Sequence, residues 1–440
     1  MQKACRGKVL VLGGDTRVLL AIARSLGRRG IAVHAGWCPP GRSALSSRYV
    51  KVVHRIPTYS RDSTDWIDGL RSLFREEHFD LVIPATDSAC IPLQLHRRQF
   101  QDEATRIHLL NSMAYHVVSD KANTSQLAQR LDVRVPNTIL LERGSGEDDF
   151  TSVKFPAVIK PVQSANDDNP ARKPFVRIAS DESQLRRATE VLLASEQRVQ
   201  VQEYVAGRGA GVEVIAREGR ILFAFQHVRL HETLGHGSTY RMSAALDPEL
   251  YVATEKLLAS VNYTGAAMVE FKLDETNNTW HLMEINGRFW GSLPLAIAAG
   301  ADFPYYLYQM LVEGEDRFPQ SYRCGVRCRN IYGDTRWTWR QLVGKRSRID
   351  AEDDSPGWDV LPASRRRVFA DWLRAAAFLD YADSFAWDDP MPAIAEAADV
   401  AELVGHRATT RLRRWISSAI LAENDSTVRA DAPVVEQSIP

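Results

Sequence analysis

Two runs of alternating apolar and polar residues, joined by a short polar turn, stand out in the middle of the chain. They are Gly265–Asp274 and Trp280–Asn286, and the residues between them include two adjacent asparagines. Apolar runs joined by such a turn predict an antiparallel hairpin. Alternation in a strand places Glu284 and Asn286 on the same face, and Glu270 can face them across the hairpin.

This predicted face carries two carboxylates and one amide oxygen. An oxygen-only set of ligands is what hard divalent cations such as Mg²⁺ prefer, with phosphate oxygens and water completing the shell. Arg288 lies two residues further along the same face, where its guanidinium can hold a phosphate or a carboxylate bidentately. The alternative is a surface hairpin with solvated acids. The runs around Glu270 and Glu284 are apolar enough to be buried, and a buried charge needs a partner or a metal.

The N-terminal third alternates apolar strands with an amphipathic helix. We predict strands at residues 8–14, 31–35 and 79–84 and a helix at residues 18–26, which is typical of an α/β domain with a parallel sheet. The glycines after the first strand lack the G-x-G-x-x-G spacing, so a dinucleotide site is only weakly indicated. The loops after the strands, which include Gly13–Arg17 and Thr86–Asp87, are where an α/β sheet binds ligands.

Further elements follow from the same patterns. Asp120 caps a predicted helix that begins at Lys121, and a short buried strand carries Lys160. The other predicted elements are helices at residues 180–194, 295–300, 303–312, 337–342 and 366–378, strands at 198–205, 211–216, 220–228 and 325–332, a helix or helix pair at 392–421 and a polar tail from 423. The chain is therefore expected to hold several domains and no repeats.

Composition narrows the class of protein. Apolar residues make up 45% and charged residues 25% of the 440 residues, as in a globular protein that is soluble in water. Acidic and basic residues number 55 each, which gives no basic excess to indicate nucleic acid. No apolar run approaches the length of a membrane span. The five cysteines are scattered, as expected of reduced thiols in the cytoplasm.

The hairpin residues, taken together, resemble the metal-binding end of the ATP-grasp superfamily. The resemblance is carried by Met-Val-Glu270-Phe followed by Met-Glu284-Ile-Asn286-Gly-Arg288-Phe-Trp-Gly-Ser, and it is closest to the carboxylate–amine ligase or carboligase branch, which is similar to carbamoyl-phosphate synthase and biotin carboxylase. It implies an α/β (α+β) architecture in four parts. These are a Rossmann-like preATP-grasp domain (1–115), an ATP-grasp domain (116–318, lid about 135–205), an α-rich C-terminal extension (319–422) and a disordered tail (423–440).

The resemblance also implies a role for each site residue. Mg²⁺, with Mn²⁺ as an alternative, would be held by the hairpin triad, and Lys121 and Lys160 would contact ATP phosphates. The other implied residues are the adenine-binding hinge Glu203, Tyr204 and Val205, a ribose candidate Glu213, and the substrate- or phosphate-facing Arg229, Arg241 and Arg288. The loop from Gln163 to Lys173 departs from the family because it has no glycine, so Arg172 or Lys173 would replace backbone contacts to phosphate.

The implied function is activation of a carboxylate as an acyl phosphate and its coupling to an amine, with small molecules as substrates and a homodimer left open. The alternatives are a carboxylase or kinase on the same ATP site, and a nucleotide-binding protein without catalysis. A zinc site on His227, His231 and His236 is a minor alternative, because the three histidines have no helical register.

Overall fold

The computed structural model describes residues 6–37, 43–101, 105–144, 150–163, 176–233, 237–274, 276–343 and 364–401. The glycine-free loop, with Arg172 and Lys173, lies outside these residues, as do His236 and the C-terminal tail. Among the described helices, none has both the length and the apolar character that crossing a lipid bilayer would require.

The N-terminal part is a parallel sheet with helices on both faces. Its elements are β1 (Gly7–Leu12), α1 (Thr16–Arg28), β2 (Ile31–Trp37), β3 (Val50–Arg55), α2 (Asp65–Glu76), β4 (Leu81–Pro84) and α3 (Asp87–Leu95). The strand order is β3-β2-β1-β4, and each neighbouring pair is parallel. Helix α1 begins where Asp15 accepts hydrogen bonds from the backbone N–H groups of Arg17 and Val18. The predicted strand–helix–strand start is confirmed.

A second, antiparallel sheet forms the predicted lid region. Two helices precede this sheet, α4 (Ser112–Val118) and α5 (Lys121–Arg130). The sheet and its helix are β5 (Thr138–Glu142), β6 (Ala157–Pro161), β7 (Arg177–Ala179), α6 (Glu182–Ser195) and β8 (Arg198–Glu203). The order is β5-β8-β6-β7. Asp120 and Asp181 cap α5 and α6 through side-chain oxygens, as the sequence predicted.

The third sheet carries the predicted hairpin. Its elements and flanking helices are β9 (Arg208–Arg217), β10 (Arg220–Thr233), β11 (Gly237–Ala244), α7 (Pro248–Ser260), β12 (Gly265–Asp274), β13 (Thr279–Asn286), α8 (Leu293–Ala299), α9 (Phe303–Tyr308), β14 (Arg327–Arg329), α10 (Ile331–Val343), α11 (Arg365–Ala376) and β15 (Tyr381–Ala382). The order is β13-β12-β9-β10-β11-β14-β15. Glu218 and Gly219 both have positive φ in the tight turn between β9 and β10, as a two-residue hairpin loop requires.

Two features of the C-terminal part differ from the prediction. The strand predicted at residues 325–332 is shorter, because Asn330 accepts a hydrogen bond from the backbone N–H of Gly333 at 2.7 Å and α10 begins at Ile331. The segment expected to be α-rich also adds β14 and β15 to the edge of the third sheet.

One apolar core joins the first sheet to the third. Helix α1 packs on α8 and α9, and the cluster includes Leu19 of α1 and three aromatic residues of β10 and the region after β13, namely Phe223, Trp290 and Phe303. Because this core is continuous, the carboxyl ends of the parallel strands are held against the end of β13. The α/β fold class predicted from the sequence is confirmed.

Candidate active site

The hairpin of β12 and β13 brings the two predicted metal-binding carboxylates together. Glu270 and Glu284 lie directly opposite each other in the register, and a β-bulge follows the pair. The Asn286 side-chain amide donates to Glu270 Oε1 at 3.1 Å and to Glu284 Oε1 at 3.2 Å. The three side chains therefore converge on one point, with Glu270 and Glu284 partly open to solvent.

Cations surround this point on two sides. Arg229, on β10, forms an ion pair with Glu270. Lys121 Nζ lies 3.5 Å from Glu284 Oε2. Lys121 is the first residue of α5, and its backbone N–H donates to Val162 O at 3.0 Å, which fixes the start of the helix to the lid sheet. The acidic point of the hairpin is thus bordered by positive charge, as a site for a magnesium–phosphate complex requires.

Lys160 of β6 is buried and points to the same region. Its Nζ donates to Gln202 Oε1 at 2.9 Å. Burial, helped by the charge of Lys121, lowers the pKa of Lys160 to about 8. A phosphate bound next to this lysine would raise its pKa again, because the negative charge of the phosphate favours the protonated form that burial disfavours.

The two carboxylates differ in pKa for a clear electrostatic reason. Burial opposes ionisation of Glu284, but the charges of Lys121 and Lys160 outweigh it and lower its pKa to about 2. Burial raises the pKa of Glu270, and the charge of Glu284 adds to this against the opposing effect of Arg229. The hairpin therefore holds an ionised Glu284 next to Glu270, whose ionised form is disfavoured. A divalent cation between them would favour the ionised form of both carboxylates.

The chemistry of the donors fits Mg²⁺. Both carboxylates supply hard oxygen ligands. The Asn286 side chain, whose amide nitrogen donates to them here, would supply its oxygen once a cation replaced these hydrogen bonds and the amide turned. In the part of the chain that the structure describes, no group of three or more His, Cys, Asp or Glu side chains is placed to hold a metal ion. The remaining ligands would therefore be phosphate oxygens and water, as is usual for Mg²⁺ at nucleotide sites.

Arg288 links the hairpin to the N-terminal sheet. Its Nε and Nη2 donate to the two carboxylate oxygens of Asp87, each at 2.7 Å, and Nη1 donates to Phe289 O at 3.0 Å. Asp87 is the first residue of α3, directly after the loop that follows β4. The preATP-grasp loop expected to face a substrate thus meets the predicted substrate-binding arginine.

The predicted hinge connects β8 to β9. The Glu203 N–H donates to Asn137 O at 2.9 Å and the Tyr204 N–H donates to Pro156 O at 3.3 Å. Since these two N–H groups are in use, the groups left for an adenine edge are their carbonyls and the N–H of Val205. The adenine contact itself stays a prediction.

The structure does not bring Glu213 or Arg241 into the group around the hairpin. Glu213 is completely buried and hydrogen-bonds His227, so a contact with ribose would require this pair to separate. Arg241 is 1% exposed and forms an ion pair with Asp383 of the C-terminal extension. Its charge is already compensated, which leaves it no access to a substrate in this structure.

Two groups were missed by sequence reasoning. The first is Lys272, whose Nζ donates to Glu232 Oε2 and to Gly207 O, both at 3.0 Å. The other oxygen of Glu232, Oε1, accepts from the Gly209 N–H at 2.6 Å, beside the hinge. Alternation along β12 places Lys272 on the face of Glu270, so this lysine could have been found. Gln202, which holds Lys160, could have been found from the alternation of β8 in the same way.

His227 and His231, the two of the three histidines that the structure describes, do not share a site. His227 bonds Glu213, whereas His231 contacts Asp334 at 2.6 Å and Asp371 at 3.2 Å. The two rings therefore have separate carboxylate partners.

Comparisons with known proteins bear on the family and the fold. Residues 195–333 match a family model described as ATP-grasp in the biosynthetic pathway with Ter operon. No curated protein sequence matches the chain.

Among solved structures, three are informative about the fold. L-amino acid ligase from Bacillus licheniformis superposes with a TM-score of 0.53 at 16% identity, over 72% of this chain and 78% of that one. Biotin carboxylase from Campylobacter jejuni, in a β-γ-ATP complex, gives 0.57 at 18% identity, over 74% and 75%. N5-carboxyaminoimidazole synthetase from Staphylococcus aureus with ADP gives 0.57 at 16% identity, over 74% and 82%. The chain therefore shares its fold with these three structures, and about a third of it, residues 195–333, resembles the ATP-grasp model.

Proposed function

We propose that this protein is an ATP-dependent ligase that activates a carboxylate as an acyl phosphate and joins it to an amine. The observation that carries the proposal is the convergence of Glu270, Glu284 and Asn286 beside Lys121, with the buried Lys160 in the same electrostatic field. This set can hold a divalent cation together with polyphosphate. It contains no activated nucleophile, which suits chemistry that depends on positioning and charge neutralisation.

In the first step, a carboxylate oxygen of the substrate forms a bond to the γ-phosphorus of ATP, and the bond from that phosphorus to the bridging oxygen breaks to release ADP. Lys121 and Lys160 bind the phosphate oxygens as compact cations. Glu270, Glu284 and Asn286 would hold Mg²⁺, which neutralises phosphate charge when bound. Arg229, which forms an ion pair with Glu270, would contact the transferring phosphoryl group.

In the second step, the amine nitrogen forms a bond to the acyl carbon, inorganic phosphate leaves, and the amine releases its protons to the departing phosphate and solvent. Arg288 keeps a carboxylate or the developing negative charge at the carbonyl in place, because one N–H on each of its terminal nitrogens is not used by Asp87 or Phe289. Closure of the lid over the site would keep water away from the acyl phosphate.

The direct test measures ADP release by the purified full-length protein against pairs of carboxylates and amines. Amino acids form the first panel, because a ligase of L-amino acids is among the similar structures. We expect ADP and an amide product in equal amounts, identified by mass spectrometry, only when both substrates are present.

Separate arms of the same test address the alternatives. ADP release that needs bicarbonate and gives a carboxylated product would establish a carboxylase, whose fold is also among the similar structures. A stable phosphorylated product would establish a kinase. Tight ATP binding with no turnover in any arm would contradict the ligase proposal and favour a binding protein.

A further inference from the structure

A cavity lies behind the pair formed by Asp87 and Arg288, between α3 and the end of β13. It is open on one side and has room for about four water molecules. The buried apolar part of its lining, called the closed end below, consists of Ile91, Leu110 and Ile285, each more than nine-tenths buried. The cavity is separate from the phosphate-binding lysines but adjoins the arginine that the proposed mechanism uses.

The mouth of this cavity offers one cation and one anion side by side. Asp87 and Arg288 are bonded through one edge of the guanidinium, and their side chains are 30% and 22% exposed. Arg288 has five N–H groups, of which three are engaged by Asp87 and Phe289. Each Asp87 oxygen accepts one hydrogen bond from Arg288 and has capacity for another. The pair can therefore accept an ammonium group on one side and a carboxylate on the other.

The interior of the cavity carries no charge at neutral pH. Burial raises the pKa of the Cys90 thiol to about 12 and lowers the pKa of His108 to about 4. Gln94, which donates to Leu110 O at 3.2 Å, is neutral. A charged group placed in this interior would be desolvated without a partner, which costs several kcal/mol.

We infer that this cavity selects an α-amino acid with an uncharged aliphatic side chain of about four heavy atoms, a size set by the room for about four waters. The ammonium group contacts Asp87, the carboxylate contacts Arg288, and the side chain enters the cavity toward Ile91. The inference rests on the proposed ligase function, since it specifies one of the two substrates.

Binding to the full-length protein tests the inference without requiring turnover. Isothermal titration with MgADP present would compare leucine with glutamate, lysine and phenylalanine. Two further ligands are 4-methylpentanoate, which is leucine without the ammonium group, and isopentylamine, which is leucine without the carboxylate. We expect leucine to bind at least about tenfold more tightly than each of the others. The ligand without an ammonium and the ligand without a carboxylate each lose one paired charge, glutamate and lysine bury an unpaired charge, and phenylalanine is too large for the cavity.

Variants then locate the binding to the cavity. Ile91→Ala enlarges the closed end and should raise the ratio of phenylalanine affinity to leucine affinity by about tenfold or more. Ile91→Val, a milder change, should shift it in the same direction by a smaller factor. Asp87→Asn should weaken the binding of leucine by about tenfold while changing the binding of 4-methylpentanoate less. Leu95→Ala is the matched control, because Leu95 ends the same helix and is 47% exposed.

The outcomes separate this inference from the proposed function. Leucine bound no better than glutamate or lysine, or an unchanged phenylalanine-to-leucine ratio in both folded Ile91 variants, would overturn the inference. ADP-forming ligation of charged substrates without leucine binding would do the same and leave the ligase function standing. Leucine binding that responds to the variants, without ADP release in any substrate pair, would retain the cavity assignment and overturn the ligase function.

Discussion

The two ends of the strand order in the third sheet, called its two sides below, use charged residues in opposite ways. On the side of β12 and β13, Glu270 and Glu284 are partly open to solvent and face cations that could also bind phosphate. On the side of β11 and β14, Arg241 and Arg329 are buried and bound by aspartates of the C-terminal part. The first group is paired but open enough to solvent for a ligand to join it, whereas the second is buried and compensated within the protein.

His231 shows how complete the compensation on the second side is. Its ring lies between Asp334 and Asp371 and stacks on Trp337 with 3.6 Å between ring centroids. Such a network attaches the C-terminal elements to the sheet, and breaking it should cost stability. Burial and charge alone therefore do not identify a functional group; the capacity to accept a further partner does.

The largest expected effect is loss of activity from the hairpin. Glu284→Ala removes a ligand of the proposed cation, and we expect ADP formation to fall by about a thousandfold or more. The protein should remain folded, because Glu284 is partly exposed and belongs to no apolar core. Rates of ADP release and thermal melting measure the two effects.

Asp274→Asn is the matched control for this variant. Asp274 ends the first strand of the same hairpin and caps its exposed turn, and Asn retains the oxygen that accepts from the Thr276 N–H. Unchanged turnover in folded Glu284→Ala would exclude the proposed metal site.

The next largest effect concerns stability on the opposite side. Arg241→Met leaves Asp383 buried without its cation, so we expect the free energy of unfolding to fall by about 3–5 kcal/mol. The turnover of the folded fraction should change little. Denaturant unfolding and ADP release, measured on the same sample, separate this role from the catalytic one that the family resemblance implied for Arg241.

Replacing both partners sharpens the result. Arg241→Met combined with Asp383→Leu removes the unpaired charge and should recover part of the lost stability. A large fall in turnover with stability unchanged would instead support direct contact of Arg241 with substrate.

The two sides also differ in how well the sequence predicted them. The hairpin follows from period-two alternation and a polar turn, which are local signals, and the register of Glu270 and Glu284 then follows from the hairpin. The partners of Arg241 and His231 lie more than 100 residues away along the chain. No local pattern specifies such pairs, so Arg241 was indistinguishable from a substrate-binding arginine.

The same limit applies to the cavity beside Arg288. The sequence placed Arg288 on the face of the metal ligands and Asp87 in a loop at the end of a parallel strand. Their 2.7 Å contacts depend on how the first sheet packs against the third, which only the assembled core determines.

A smaller effect is expected in the pH dependence of ATP binding. The pKa of Lys160 is about 8 in the free protein, and a bound phosphate should raise it. As the pH rises from 7 to 9, the free protein loses this proton while the complex retains it. The affinity for a non-hydrolysable ATP analogue should therefore fall by about tenfold over this range.

Lys160→Arg provides the control for this effect. Arginine stays charged throughout the range, so the component of the pH dependence due to this position should disappear even if the absolute affinity changes. The same slope in both proteins would show that another group is responsible.

The smallest effect should come from Glu213, the buried acid on the same face as Glu270. Burial and the charge of Glu270 raise its pKa well above the usual range, and burial lowers the pKa of its partner His227, so both are expected to be neutral. Glu213→Gln then replaces one neutral group with another of similar shape. The dissociation constant for the ATP analogue should change by no more than about twofold, measured by titration. A loss of tenfold or more, without a loss of stability, would show that an ionised Glu213 contacts the nucleotide, as the family resemblance implied.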